Sequence, residues 1–266
     1  MIEKIDGAPT LRDWPVRIWD EGEIQPLYRP HLEFWLKQGL SLEHLLFVPA
    51  LPYQKKSVEY MLAVRDGEIL LLCREGDTGI TPVCIRRDQL RYAALITELL
   101  YSRLDLYWSD GGAIHCSSAA FNRTTLDLFL PALHTLLGLP MDFDCRQAAE
   151  AHPRPSALAN EHYALYQFAL DAYRLGPEIR ECHWRYLRPA FFRRKKASED
   201  AAVLSCCMQN GLFIQRMLGN RLAAYYFPWR TIGSSSEYRS AGADTWEIFL
   251  DGQIGEQRSA VKFLLL

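Results

Sequence analysis

Seven histidines and seven cysteines are the residues of this chain best suited to nucleophilic or metal chemistry, and their spacing supports neither. His115 and Cys116 are neighbours in a predicted strand, where successive side chains diverge, so they cannot form a dyad with each other. His31, His44, His134, His152, His162 and His183 show no H-x-x-x-H or H-E-x-x-H arrangement. No pair of cysteines has the C-x-x-C spacing of a zinc knuckle or redox motif. Cys206 and Cys207 are adjacent in a predicted strand and point to opposite faces, so they would not converge on one metal ion. The cysteine count is odd and no export signal is visible, which predicts reduced thiols acting mostly as small apolar fillers. Nucleophile-elbow, phosphate-loop and dinucleotide motifs are absent. No cofactor and no metal are therefore expected, and an enzyme would need a site assembled from distant residues.

The basic residues hold more physical content. In "WRYLRPAFFRRKK", Arg185, Arg188, Arg193, Arg194, Lys195 and Lys196 alternate with Trp184, Tyr186, Phe191 and Phe192. Three readings stand side by side. The charges could keep a solvated strand connection soluble. Phe191 and Phe192 could enter the core and leave only the cations outside. Or Arg193, Arg194, Lys195 and Lys196, with Lys55 and Lys56, could hold an anionic ligand. Lys+Arg total 30 against 32 Asp+Glu, a formal charge of -2, so no global field recruits nucleic acid or membrane, and no nucleic-acid partner is expected.

The elements that would carry these residues are mostly strands. With 266 residues, 49% hydrophobic and 23% charged, the chain can bury a real core. Its N-terminus, "MIEKIDGAPTLRDW", does not read as a signal peptide, and no apolar run reaches the roughly 18 residues of a membrane span, so the expectation is a soluble cytoplasmic protein. An irregular arm with recurrent prolines leads to a short helix around Leu32, Phe34, Trp35 and Leu36, ending at Gly39. Val58, Tyr60, Leu62 and Val64 alternate as a half-buried strand, and Asp66-Gly67 predicts a type I′ hairpin. "TPVCIRR" continues the meander. The segment from Leu90 to Thr97 has both helical and extended features. "FNRTTLDLFLPALHTLLGLP" predicts the best helix, capped by Asn122, striped by Leu126, Phe129, Leu130, Leu133 and Leu137, and stopped by Gly138 and Pro140. Pro131 predicts a kink or a late start. Tyr163, Tyr166, Leu170 and Tyr173 share one face of a second helix and read as core.

The second half repeats the first. Moving Asp66-Gly67 onto Asn210-Gly211, a shift of 144 positions, aligns Lys55-Lys56 with Lys195-Lys196, "TPVCIRR" with "YYFPWRT", and "LDLYWSDG" with "WEIFLDG". The second counterpart of the ambiguous segment, "IGSSSEYRSAGADTWEIF", is rich in Gly and Ser and makes a poor helix, so the first should also be extended. Meandering strands followed by one amphipathic helix resemble the bacterial pleckstrin-homology-like (PH-like) and GRAM-like proteins, here as a tandem pair over about Leu42 to Leu139 and Pro177 to Leu266. The fold class expected is mainly antiparallel β with helices (α+β), as two PH-like units, the first closed by its helix. The boundaries are residues 1–40 for the arm, 41–139 for unit 1, 140–176 for a helical connector and 177–266 for unit 2. Unit 2 has no terminal helix of its own; either the helix near Tyr163 to Tyr173 serves it, or the unit is incomplete.

The resemblance implies an anionic-ligand site in the turn between the first two strands of a unit, where the 193–196 cations would lie. The leading functional expectation is a non-enzymatic interaction or scaffold module for a protein or peptide partner. The alternatives are a peripheral binder of anionic headgroups, with weak membrane contact through the basic residues, and an enzyme whose site is not visible in sequence.

Overall fold

The computed structural model describes residues 14–50, 58–75, 79–111, 113–151, 156–161, 163–186, 202–218, 221–240, 243–254 and 257–265. Antiparallel strands dominate, with a few helices, an α+β arrangement. The first sheet has five strands in the order β1 (Val16–Arg17), β2 (Leu45–Val48), β3 (Val58–Arg65), β4 (Glu68–Glu75) and β5 (Ile80–Arg86). Its central strands are buried on both faces, not half-buried as the alternation predicts. Leu62, Val64, Ile69 and Leu71 face the main core, while Met61, Ala63, Leu70 and Leu72 face a second one. The arm supplies that second core through Ile18, Ile24, Tyr28 and Leu40, with Leu32 and Trp35 from α1 (Arg29–Lys37). Continuous apolar runs such as "ILLL" are what two-sided burial demands. Glu59 pins the arm to the sheet, accepting from the Tyr28 hydroxyl at 2.8 Å and from the Arg74 guanidinium at 3.0 Å.

The second sheet joins the two halves of the chain. Strands β6 (Leu90–Glu98), β7 (Tyr101–Ser109), β8 (Ile114–Asn122), β9 (Ile179–Tyr186), β10 (Ala202–Met208), β11 (Gly211–Leu218) and β12 (Arg221–Pro228) form a seven-stranded sheet in the order β8-β7-β6-β12-β11-β10-β9. The junction is β6 against β12, from Glu98↔Arg221 to Ala93↔Tyr226. Tyr92 stitches it on one face, stacked on Tyr107 at 4.2 Å and on Phe227 at 5.1 Å. The segment from Leu90 to Thr97 is extended, as its Gly- and Ser-rich counterpart predicts. A third sheet contains β13 (Ile232–Ser240), β14 (Ala243–Ile254) and β15 (Gln257–Leu265).

The helix predicted after Asn122 starts late, for the reason Pro131 gives. Asn122 accepts from the Thr124 amide and caps a 3-10 turn over Arg123–Leu128. The α-helix α2 (Leu130–Leu137) then begins with Pro131 in its first turn, where a missing N–H costs no helical bond, and ends at Gly138 with φ +89°. Three short helices follow, α3 (Cys145–Ala151), α4 (Ser156–Glu161) and α5 (Tyr163–Phe168), then a 3-10 segment over Ala169–Leu175. Leu165, Ala169, Ala172, Tyr173 and Leu175 are buried in one cluster with Leu204, Met208, Phe213 and Tyr226, so the connector covers β10 to β12 from the N-terminal side. That cluster also holds α2 and the first sheet, giving both halves a shared core. Tyr163 departs from the expected aromatic core face: it is 67% exposed.

The two hairpin turns also differ from expectation. At Asp66-Gly67 only Gly67 has positive φ, +78°, whereas a type I′ turn needs it at both positions. In the second hairpin Cys207 faces Leu212, so the turn falls on Gln209 and Asn210, one residue early, and Gly211 opens β11. Gly211 is there for space: a Cβ would stand 2.1 Å from the Phe227 carbonyl oxygen. Among the described residues, no helix is long and apolar enough to cross a membrane.

Candidate functional site

The six basic residues proposed from sequence, Lys55, Lys56, Arg193, Arg194, Lys195 and Lys196, lie outside the described residues. Phe191 and Phe192 lie outside them too. The chemistry that the structure does assemble is elsewhere, in a polar seam between the connector helices and the second sheet.

One half of the seam is a cysteine–histidine pair. His134 comes from the last turns of α2, and Gly138 and Pro140 turn the chain so that Cys145, the first residue of α3, returns to it. Cys145 Sγ and His134 Nε2 are 3.2 Å apart. His134 is buried, and burial pushes its pKa down to about 4, with the Arg174 charge adding to the effect. Burial pushes the Cys145 thiol up to about 11, although Arg174 acts the other way. Near neutral pH the pair is therefore a thiol beside a neutral imidazole, not a thiolate–imidazolium nucleophile. Asp144 occupies the start of α3, accepting from the amides of Arg146 and Gln147 at 2.8 and 3.0 Å.

The other half is an ion pair with further hydrogen bonds around it, although Gln215 Oε1 is buried without a partner. Arg174 bridges to Asp171 at 2.9 Å and donates to the Tyr226 hydroxyl at 3.3 Å. Gln215 donates from Nε2 to Asp171 at 3.1 Å. Burial alone would lower the Arg174 pKa, and Asp171 and Tyr226 outweigh it, so the guanidinium stays charged. Burial raises the Tyr226 hydroxyl, which stays neutral. The pair is half-buried, so desolvation offsets part of its electrostatic attraction. His134 and Cys145 carry no spacing signal that would have found them. Asp171 and Arg174 do, an i,i+3 pair of opposite charge in a helical run of aromatic and apolar residues.

All seven cysteines are free thiols. Cys206 is buried in the main core and Cys73, Cys145 and Cys182 pack against it, so most of the thiols act as apolar fillers as expected, whereas Cys84 and Cys116 are exposed on β5 and β8. Cys206 and Cys207 do point to opposite faces of β10: Cys206 belongs to the main core, and Cys207 does not. Among the described residues no group of three His, Cys, Asp or Glu side chains could hold a metal ion.

A different surface feature lies at the tip of the β6–β7 hairpin. Glu98 pairs with Tyr101, leaving Leu99 and Leu100 as the turn. They are 66% and 59% exposed, and Leu99 has φ +53°, the only positive φ of a described non-glycine residue. A hairpin with positive φ at its first central residue alone favours Gly there. A leucine held in this region costs on the order of 1–2 kcal/mol and gains nothing from burial. No protein-family model matches the chain, and no curated protein matches it.

Proposed function

We propose that this chain is a non-enzymatic interaction module that engages a protein partner through the Leu99–Leu100 hairpin tip. One observation carries the reading. Two adjacent leucines are held in solvent by a turn that a glycine would make without strain. Strain held at an exposed apolar residue is a pointer to a contact site, since burial within the fold does not offset its cost. The titratable groups of the seam point the same way. They pair with one another, Cys145 with His134 and Arg174 with Asp171. Leaving out the two-residue β1 of the arm, each half has four strands and then three, with α2 after the first set, which supports the resemblance to tandem PH-like units.

The test places a photo-crosslinking amino acid at position 100 in cells. A discrete protein adduct that disappears when Leu99→Gly accompanies it supports the proposal. No adduct at position 100, with folding intact by circular dichroism, rejects it. Sedimentation of the purified chain with lipid vesicles that depends on Leu99 and Leu100 would instead assign the tip to a membrane surface.

A further inference from the structure

We infer that Cys182 and Cys206 form a thiol–disulfide site that exchanges with a small disulfide of the glutathione class and staples the edge strand β9 to β10. The two residues are direct cross-strand partners in the antiparallel register, flanked by Glu181↔Cys207 and His183↔Ser205. Directly opposed residues of an antiparallel pair have Cα atoms about 4.5 or 5.5 Å apart, and disulfides span about 4.4–6.8 Å. The register thus places the two residues within the Cα range of a disulfide. The side chains already converge, with the two Sγ atoms 3.1 Å apart. The other described thiols are placed differently: Cys207 takes the face opposite Cys206, Cys145 meets His134, Cys84 and Cys116 meet Glu68 and Ser118, and Cys73 lies on β4 of the first sheet.

The two sulfurs are unequal, and that sets the order of events. Cys206 is buried, whereas Cys182 is partly exposed on the outermost strand of the sheet. The Cys182 thiolate attacks one sulfur of glutathione disulfide, forming a mixed disulfide and releasing glutathione thiolate. Cys206 then attacks the Cys182 sulfur, the Cys182–glutathione bond breaks, and the Cys206 proton passes to the second departing glutathione. Two protein thiols are oxidised, and one glutathione disulfide is reduced to two glutathiones. The hydrogen bond that the Cys206 thiol shares with Cys182 and its burial both hold Cys206 protonated until that step.

The full-length native protein is incubated with glutathione disulfide, quenched in acid, alkylated and digested for mass spectrometry. The expected product is the Cys182 peptide joined to the Cys206 peptide. The mixed disulfide at Cys182 should stay below about a tenth of it, because the second thiol is already positioned. The Cys206→Ser variant should retain glutathione on Cys182, and the Cys182→Ser variant should leave Cys206 unmodified. Oxidised wild type should melt several degrees higher, reversibly with dithiothreitol. Glutathione accumulating on Cys84 and Cys116 of wild type, with no Cys182–Cys206 link, overturns the inference without recourse to either variant. So does equal modification of Cys206 in the Cys182→Ser protein.

Discussion

Arg230 donates from its guanidinium to the carbonyl oxygen of Leu136 at 2.9 Å, across 94 residues of sequence. The same group reaches the Arg87 carbonyl, and Arg87 donates from Nε to the Thr135 carbonyl at 2.8 Å. Two arginines thus satisfy the end of α2, where backbone carbonyls lack helical partners and a positive charge is favoured. One of them comes from each half of the chain. Thr135 adds a third tie, accepting from the Gly67 amide at 2.6 Å and donating to the Arg65 carbonyl at 3.0 Å. The helix end is the point where the β3–β4 hairpin, the β5–β6 connection and the turn after β12 meet.

Arg230→Ala should therefore lower stability by about 1–3 kcal/mol, since it leaves two carbonyls without their charged donor. Arg230→Lys should recover only part, because a single ammonium lacks the planar fork. Urea denaturation checks both. Equal stability of the Arg230→Ala and wild-type proteins would mean that water replaces the guanidinium at no cost.

The Cys145–His134 pair predicts an asymmetric pH dependence. His134 has a folded pKa of about 4 against about 6.5 unfolded, so the unfolded chain binds its proton first as pH falls. Its contribution is fully present above about pH 6.5 and is lost as pH falls towards 4, up to about 3 kcal/mol. Cys145 is the mirror case: its folded pKa is about 11, so its contribution is present below the unfolded value and lost as pH rises through 9 to 11. His134→Gln should flatten the acid limb of the stability profile and leave the alkaline limb in place. An unchanged acid limb would show that other groups control it.

The strands are legible in the sequence because apolar alternation and Gly-containing turns are local signals, and Pro131 and Gly138 mark the limits of α2. Two-sided burial of β3 and β4 is not. The run "EILLLC" admits it, yet only the docking of Tyr28, Leu32 and Trp35 supplies the second face. The seven-stranded sheet is also out of reach, since the pairing of Ala93 and Ala94 with Tyr226 and Tyr225 is a long-range choice with no local trace. The polar seam is hidden for the same reason: His134 and Cys145 meet through a chain reversal, and Arg174 meets Tyr226 across 52 residues. Leu99 carries no signal in the sequence, because nothing about a leucine announces positive φ.

The basic stretch from sequence yields a test of the headgroup alternative. At about 0.15 M ionic strength the Debye length is about 8 Å, which leaves only a close cluster of cations effective. Under the protein-partner reading, the wild-type chain stays in the supernatant with phosphatidylserine vesicles at that salt. Sedimentation that is lost when Arg193, Arg194, Lys195 and Lys196 are replaced by Ser or Gln, with an unchanged melting temperature, would make these cations a headgroup site.

Two glycines separate steric from conformational demands. Gly67 sits at φ +78° with the Arg87 guanidinium 3.8 Å from a would-be Cβ, so Gly67→Ala meets strain but little crowding. The cost should be about 1 kcal/mol, as expected for an L-residue in the left-handed region. Gly211 is the reverse. Its φ is not positive, yet an added Cβ would lie 2.1 Å from the Phe227 carbonyl oxygen and 2.9 Å from its carbon, both backbone atoms of the adjacent strand. β11 and β12 would have to part where Gly211 pairs with Pro228, beside the Trp229 indole that donates to the Met208 carbonyl at 3.0 Å. Gly211→Ala should cost more than about 3 kcal/mol, in the range reserved for backbone disruption. Urea midpoints at unchanged slope measure both variants. A Gly211→Ala protein as stable as Gly67→Ala would mean that β12 yields at Phe227, and that the close approach of these two strands is not a requirement of the sheet.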